Sequence, residues 1–319
     1  MTALANLSEQ LFDDIAFSDS ILTAAQKILA NQFNIFLGRL EGTRKGEDIE
    51  DLHQMRVASR RMRSCLLHFE DAFDPETFNV HQQQLRHIGH TLGAVRDLDT
   101  GKRTFYQCLE QEGAMVEPAI HVIIDDLSQK RLAQLETVRN MLDSQAFHDW
   151  NARFTQWLAQ PESDPEAPRI GHQAPGRLEQ QFDEILSYRK KPETFSLRKL
   201  HKLRIRCKRF RYLAEFMRPL YDERIEQIIE KIIEFQDILG RVQDHQRDLA
   251  YLNEHFDELR QRMNDSSKTK ALKRVRKSLQ ESIELNRLQF LAQWQVFTLK
   301  ESQLRVRYLL ENAVLMPTP

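Results

Sequence analysis

The sequence repeats itself. Leu52-His53-Gln54-Met55-Arg56-Val57 returns as Leu200-His201-Lys202-Leu203-Arg204-Ile205, and the match continues through Arg60/Lys208, Arg61/Arg209, Met62/Phe210 and Arg63/Arg211, always at an offset of 148 residues. Further on, Leu92-Gly93-Ala94-Val95-Arg96-Asp97 returns as Leu239-Gly240-Arg241-Val242-Gln243-Asp244 at an offset of 147. Two separated segments that agree to within one residue argue against chance, so the chain is expected to fold as two related halves.

Both halves read as helical. Apolar residues recur at helical spacing over about 18–42, 49–73, 76–112 and 119–159, and again over about 177–190, 195–218, 222–263 and 267–312. The 319 residues contain only ten glycines and ten prolines, too few for a turn-rich all-β architecture. Pro161, Pro165, Pro168 and Pro175 cluster with Gly171 and Gly176 where the periodicity lapses, which marks a linker. The expected organisation is therefore an N-terminal segment (1–17), a first four-helix half (18–160), a Pro-rich linker (161–176), a second four-helix half (177–312) and a C-terminal tail (313–319). The fold class is all-α, two homologous four-helix bundles.

Cys65, Cys108 and Cys207 are far apart and suggest neither a disulfide framework nor a zinc knuckle. The acidic N-terminus has no positive region of a signal peptide, and no stretch has the length and apolarity of a membrane span. A cytoplasmic protein with no membrane association is the expectation. With 46 Lys plus Arg against 47 Asp plus Glu the net charge is -1, but a sum says nothing about placement.

Placement is what the repeat controls. At about 100° per residue, with His53 at zero, Arg56, Arg60 and Arg63 fall within roughly 80° of it on one side, and Arg61 stands apart at about 80° on the other. Met55, Ala58, Met62, Cys65, Leu66 and Phe69 occupy an opposing stripe suited to burial. The second copy repeats the basic face with His201, Arg204, Lys208 and Arg211. From Arg198 to Arg211 there is no Asp or Glu. Such a face repels itself through like-charged pairs three and four residues apart. Either carboxylates of neighbouring helices or an external polyanion must compensate it, and duplication favours the second. If the halves pack about a pseudo-two-fold axis, the two ridges line one groove in which their fields add. Arginine's planar fork suits phosphate oxygens, and histidine adds a charge that grows as pH falls through about 6.5.

Other basic residues extend the surface less securely. Arg86 and His90 lie beside Gly89 and Gly93, a spacing that favours close helix packing over a ligand role. Arg96 is followed by Asp97, so a local ion pair or helix-end contact competes with a ligand contact. Lys270, Lys273, Arg274 and Lys277 form a stripe that either widens the groove or is simply a solvated face.

Enzyme signatures are absent: no phosphate-binding P-loop, dinucleotide fingerprint, nucleophile elbow or H-E-x-x-H occurs. Asp97, Asp99, Asp244 and Asp248 would be the ligands of a metal-dependent phosphohydrolase, with His53 or His201 as its nucleophile or acid, but caps and salt bridges account for them equally well. Nucleic acid is the other alternative, as an RNA phosphate backbone. Its binders interleave aromatic side chains for stacking, which this basic face lacks.

At these residues the sequence resembles the CHAD family, the histidine-containing α-helical domain. The carriers are L-H-Q-M-R-V-A-S-R-R-M-R at Leu52 to Arg63, L-G-A-V-R-D-L-D at Leu92 to Asp99, and L-H-K-L-R-I-R-C-K-R-F-R at Leu200 to Arg211, and the likeness spans about residues 18–310. It implies two four-helix bundles around a basic central cavity that binds inorganic polyphosphate and can bring granule-associated proteins to polyphosphate granules. Carried over, the ligand residues are His53, Arg56, Arg60 and Arg63, then His201, Arg204, Lys208 and Arg211, with Arg61 and Arg209 as flanks. The second half departs in having Gln243 at the position of Arg96 and Ile233 at that of Arg86. No triphosphate-hydrolysing tunnel domain is recognisable, so the chain resembles a stand-alone member. The expectation is a non-enzymatic polyphosphate binder with no catalytic residues, metal or cofactor.

Overall fold

The structure, a computed structural model, describes residues 13–160, 164, 166–263 and 266–315; Pro161, Pro165, most of the N-terminal segment and the end of the C-terminal tail lie outside these. Twelve α-helices form among the described residues. They are α1 (Ile21–Gly38), α2 (Leu40–Lys45), α3 (Ile49–His68), α4 (Pro75–Glu112), α5 (Glu117–Leu142), α6 (Gln145–Leu158), α7 (Ile170–Leu186), α8 (Leu197–Met217), α9 (Ile225–Glu254), α10 (Phe256–Met263), α11 (Ser266–Phe297) and α12 (Lys300–Asn312). No strand forms among these residues; the extended contacts are the isolated bridges Ser20 to Arg169 and Tyr221 to Val314. The all-α expectation is met.

Four helices per half become six, for local reasons. Ser144 accepts a hydrogen bond from the Phe147 amide at 3.2 Å and starts α6 three residues after α5 ends. The break lets Phe147, Trp150 and Phe154 turn back onto α1, where Phe33 meets the ring of Phe154 at 4.8 Å and that of Trp150 at 5.9 Å. The second half breaks later, at Leu299 between α11 and α12. Short helices α2 and α10 are additions that periodicity over long windows does not resolve. In the Pro-rich stretch, α7 already begins at Ile170 and carries Pro175 inside the helix, in its second turn, where the ring removes the hydrogen bond to the Gly171 carbonyl.

The helices that carry the repeat are well specified. Asp48 caps α3 by accepting from the Glu50 amide at 2.8 Å, and Ser196 caps α8 by accepting from Lys199 at 3.3 Å. Asp74 and Pro75 open α4, which with 38 residues at about 1.5 Å each is about 57 Å long. The predicted apolar stripe of α3 is buried throughout: Met55, Ala58, Met62, Cys65, Leu66 and Phe69 are all 1% exposed or less. Leu203, Phe210, Leu213 and Met217 bury the same face of α8.

The apolar interior does not divide at the repeat boundary. One large core takes in α1, α3, α6, α7 and α8 from both halves, together with the first part of α4 and the ends of α5, α9 and α11 near it. A smaller core joins Phe105 and Cys108 of α4 and Ile120, Ile123 and Leu127 of α5 to Leu252, Leu259, Leu272 and Val275 of α9 to α11. Helix α3 packs on α8 and α4 on α9. With their apolar stripes turned into this shared interior, the charged faces of the repeat helices are left toward the junction of the halves.

Candidate anion-binding cavity

A cavity of about 590 Å³ opens where α3, α4, α8 and α9 meet. Its wall carries nine Arg or Lys side chains and two histidines against the three carboxylates of Asp97, Asp237 and Asp244. From the predicted site it gathers His53, Arg56 and Arg60 of α3, Arg96 of α4, and His201, Arg204, Lys208 and Arg211 of α8. The twin basic ridges therefore face one hollow.

The decisive question for such a face is what neutralises it. Arg211 is taken by Glu215, four residues on, at 3.2 Å. Among the described residues, no carboxylate ion-pairs with Arg56, Arg60, Arg204 or Lys208, and the Nε atoms of the three arginines are buried without a protein hydrogen-bond partner. Burial and mutual repulsion show in their titration. Burial first, and then Arg204, Arg60, Arg56 and Arg211, push Lys208 down to about 6. Burial also holds Arg60 and Arg204 below the ordinary arginine range, with Asp244 partly offsetting this at Arg204. His53 is lowered by burial and then by Arg96, so it is a weaker near-neutral switch than its sequence position suggested.

Two supports that the sequence did not reveal shape the site. Tyr212 lies beneath three guanidinium groups: Arg60 at 5.5 Å and Arg61 at 5.8 Å from the first half, and Arg211 at 5.1 Å from the second. It is 3% exposed, so the ring is at once core and platform. Gly93 and Gly240 give the second support. An added Cβ would stand 3.5 Å from Arg56 Nε at Gly93 and 3.7 Å from Arg204 Nε at Gly240, so each glycine gives an arginine a place to lie along the helix. The predicted close helix packing at Gly89 and Gly93 is thus used to seat Arg56, with only Ser59 Oγ near Gly89.

Three arginines of the cavity were missed. Arg103 lies seven residues after Arg96, two helical turns on along the same face of α4, a spacing that was there to be read. Arg241 and Arg247 sit on α9 within and just after the second L-G-x-V-x-D motif. Arg241 is held by Asn286 at 2.7 Å, and Arg247 reaches Asp97 at 3.4 Å, Asp244 at 3.2 Å and Asp248 at 3.0 Å. Asp97 thus pairs across the halves and not with Arg96. Asp99 pairs with Arg131 at 2.6 Å. The four aspartates weighed as metal ligands are engaged in salt bridges, and among the described residues no group of three or more His, Cys, Asp or Glu could hold a metal ion.

Other predicted residues stand elsewhere. Arg61 points to the far side of α3, where it pairs with Glu215 and lies over Phe216 at 5.3 Å. Arg209 is exposed, and its carbonyl accepts from His68 Nε2 at 3.0 Å. Arg63, Arg86 and His90 line a separate cavity of about 610 Å³ together with His87, which the sequence reading passed over. Lys270, Lys273, Arg274 and Lys277 of α11 do not line the central cavity. Arg274 pairs with Glu112 at 2.6 Å and Lys277 with Glu281 at 3.5 Å, while Lys270 and Lys273 are exposed, so this stripe is an outer face that is partly salt-bridged and partly solvated.

The CHAD domain model matches residues 27–252, most of the described helices and both copies of the basic motif. The chain belongs to the CHAD family. The solved CHAD domain from the plant Ricinus communis is similar to it with a TM-score of 0.69 at 21% identity, covering 91% of this chain and 96% of that one. PptA from Streptomyces chartreusis is similar with a TM-score of 0.66 at 19% identity, covering 87% of this chain and all of its own. At such identities these likenesses establish the shared fold. No curated protein matches the CHAD chain in sequence. No helix of its described residues is long and apolar enough to cross a membrane.

Proposed function

We propose that the central cavity binds inorganic polyphosphate, as a binding module without chemistry of its own that works in the cytoplasm and associates with polyphosphate granules and their proteins. Membership of the CHAD family supports a polyphosphate-associated role. The observation that carries the reading is the unneutralised set of Arg56, Arg60, Arg204 and Lys208, supplied from equivalent positions of two repeats to one hollow. Crowding four half-buried basic side chains without carboxylate partners is costly, enough to push Lys208 down to about 6, and a ligand with a negative charge on every repeat unit offsets that cost most directly. The lining has no Phe, Tyr or Trp on which bases could stack, which favours a bare phosphate chain over RNA.

The test is a titration with long-chain polyphosphate at several salt concentrations, competed with single-stranded RNA. Affinity should fall with a log–log slope of about 0.7 for each contact, or roughly 3 for the four cations. Replacing all four by Ala should abolish binding and leave helicity intact. A flat salt response, or equal displacement by RNA at equal phosphate, would refute the reading.

A further inference from the structure

Eight of the nine cationic side chains in the cavity wall are arginines; the ninth is Lys208. The repeat places Lys208 where the first half has Arg60, so the one exchange of a guanidinium for an amine falls among the four cations that lack a carboxylate partner. Both groups attract phosphate, and only one of them can react. A guanidinium stays protonated in a protein, whereas an amine that gives up its proton is a nucleophile.

The surroundings of Lys208 take that proton away. It is half-buried and faces Arg56 and Arg60 of α3 and Arg204 and Arg211 of its own helix, of which only Arg211 has a carboxylate partner. The wall's carboxylates, Asp97, Asp237 and Asp244, stand on α4 and α9 and form no ion pair with it, and Arg96, Arg103, Arg241 and Arg247 of the same two helices add positive charge. Burial and this crowding push the amine down to about 6, so near neutral pH it is largely unprotonated. A lysine desolvated beside other cations is an activated nucleophile.

We propose that Lys208 is a modification site for acyl phosphates: the phosphoryl group settles on Arg56, Arg60 and Arg204, and Nζ of Lys208 attacks the neighbouring acyl carbon. The nitrogen lone pair forms the C–N bond, the C–O bond to phosphate breaks, and the departing phosphate takes that electron pair and the amine's proton. The products are an N-acyl-lysine and inorganic phosphate. Polyphosphate has no electrophilic carbon, and it sets an oxyanion beside the amine, which protonates and protects it. The inference goes beyond the polyphosphate reading and shares with it only a cavity that accepts phosphate groups. The amide carries no charge, so the modified wall has lost one of its four unpaired cations.

The experiment incubates the full chain with acetyl phosphate at pH 7.5 and follows acetylation lysine by lysine with peptide mass spectrometry. An ordinary lysine is then unprotonated in about one part in a thousand, against most of Lys208, although a weaker base is also a weaker nucleophile. Lys208 should react roughly tenfold or more faster than the exposed Lys270 and Lys273, and excess inorganic phosphate should slow Lys208 alone. Arg56→Gln/Arg204→Gln should lose most of that advantage, with Lys270 and Lys273 reacting as in the wild type. A rate at Lys208 no faster than at these two overturns the proposal, and so does an advantage that inorganic phosphate leaves intact. Long-chain polyphosphate separates the two readings. Protection of Lys208 by inorganic phosphate but not by polyphosphate upholds the modification and refutes polyphosphate binding; tight polyphosphate binding with a slow Lys208 does the reverse.

Discussion

Gly93 lies directly under the guanidinium of Arg56, and a Cβ built on it would stand 3.5 Å from Nε and 3.8 Å from Nη2. The repeat preserves the pair as Gly240 with Arg204. A methyl group at 3.5 Å is ordinary contact, and glycine inside a helix costs about 0.5–1 kcal/mol relative to alanine. Gly93→Ala should therefore raise stability by that amount with little change in polyphosphate affinity. Gly93→Leu should keep the fold and weaken binding by displacing Arg56. Thermal unfolding and titration of the two variants side by side check both halves of the expectation.

Lys208 gives the site a pH dependence whose sign is fixed. In the free protein it is pushed down to about 6, and a phosphate oxygen beside it returns it toward the ordinary lysine range. Binding therefore takes up a proton between pH 6 and that range, and affinity falls as pH rises through the window, by at most about tenfold per unit. Below pH 6 the lysine is charged in both states and its contribution is flat. The free protein shows the linked effect: the unfolded chain keeps a proton that the folded chain releases, so stability rises with pH from about 6 upward. Calorimetry at pH 7.5 in two buffers of different ionisation enthalpy should register the uptake, and Lys208→Arg should remove most of it. Equal uptake in the variant would assign it to another group.

Tyr212 joins the halves through charge. Arg60, Arg61 and Arg211 all lie within 6 Å of its ring, and no other aromatic ring of the described residues meets three guanidinium groups. A cation over an aromatic face contributes about 0.5–1 kcal/mol when exposed and about 2 when desolvated. Tyr212→Phe should leave polyphosphate binding within about twofold, because the face remains. Tyr212→Leu keeps the apolar volume and removes the face, and it should weaken binding several-fold while lowering the melting temperature by a few degrees. Equal binding in the two variants would mean that the ring only fills space.

What the sequence disclosed follows from what repeats. His53, Arg56 and Arg60, and His201, Arg204, Lys208 and Arg211, were legible because duplication displays one face twice, and all seven line the cavity. Arg61 stands apart on the helical wheel and is carried over only as a flank by the resemblance; the wheel gives direction but not the neighbour, and only tertiary packing brings Glu215 to it. The same limit hid Tyr212, whose buried ring also serves charge. Arg274 illustrates the converse: its stripe reads equally as a widening of the groove or as a solvated face, and Glu112, 162 residues away in sequence, is what holds it away from the cavity. Helix breaks at Ser144 and Leu299 escaped periodicity because the apolar pattern runs straight through them, the helices on both sides of each break feeding the same large core.

Glu215 decides how much of the basic ridge is free. It accepts from Arg61 on one side and from Arg211 at 3.2 Å on the other, and its side chain is only 13% exposed. Removing its charge leaves two guanidinium groups without a carboxylate, one of them on the cavity wall. Glu215→Gln should cost about 1–3 kcal/mol of stability, the usual loss when a largely buried charged partner is deleted. It should also tighten polyphosphate binding and steepen its salt dependence by about 0.7, one further contact, because Arg211 becomes available. Arg61→Gln should share the destabilisation without the gain in affinity, since Arg61 faces away from the cavity. Denaturant unfolding and salt-resolved titration of both variants separate the two roles; a gain in affinity from Arg61→Gln would place that residue's influence on the cavity after all.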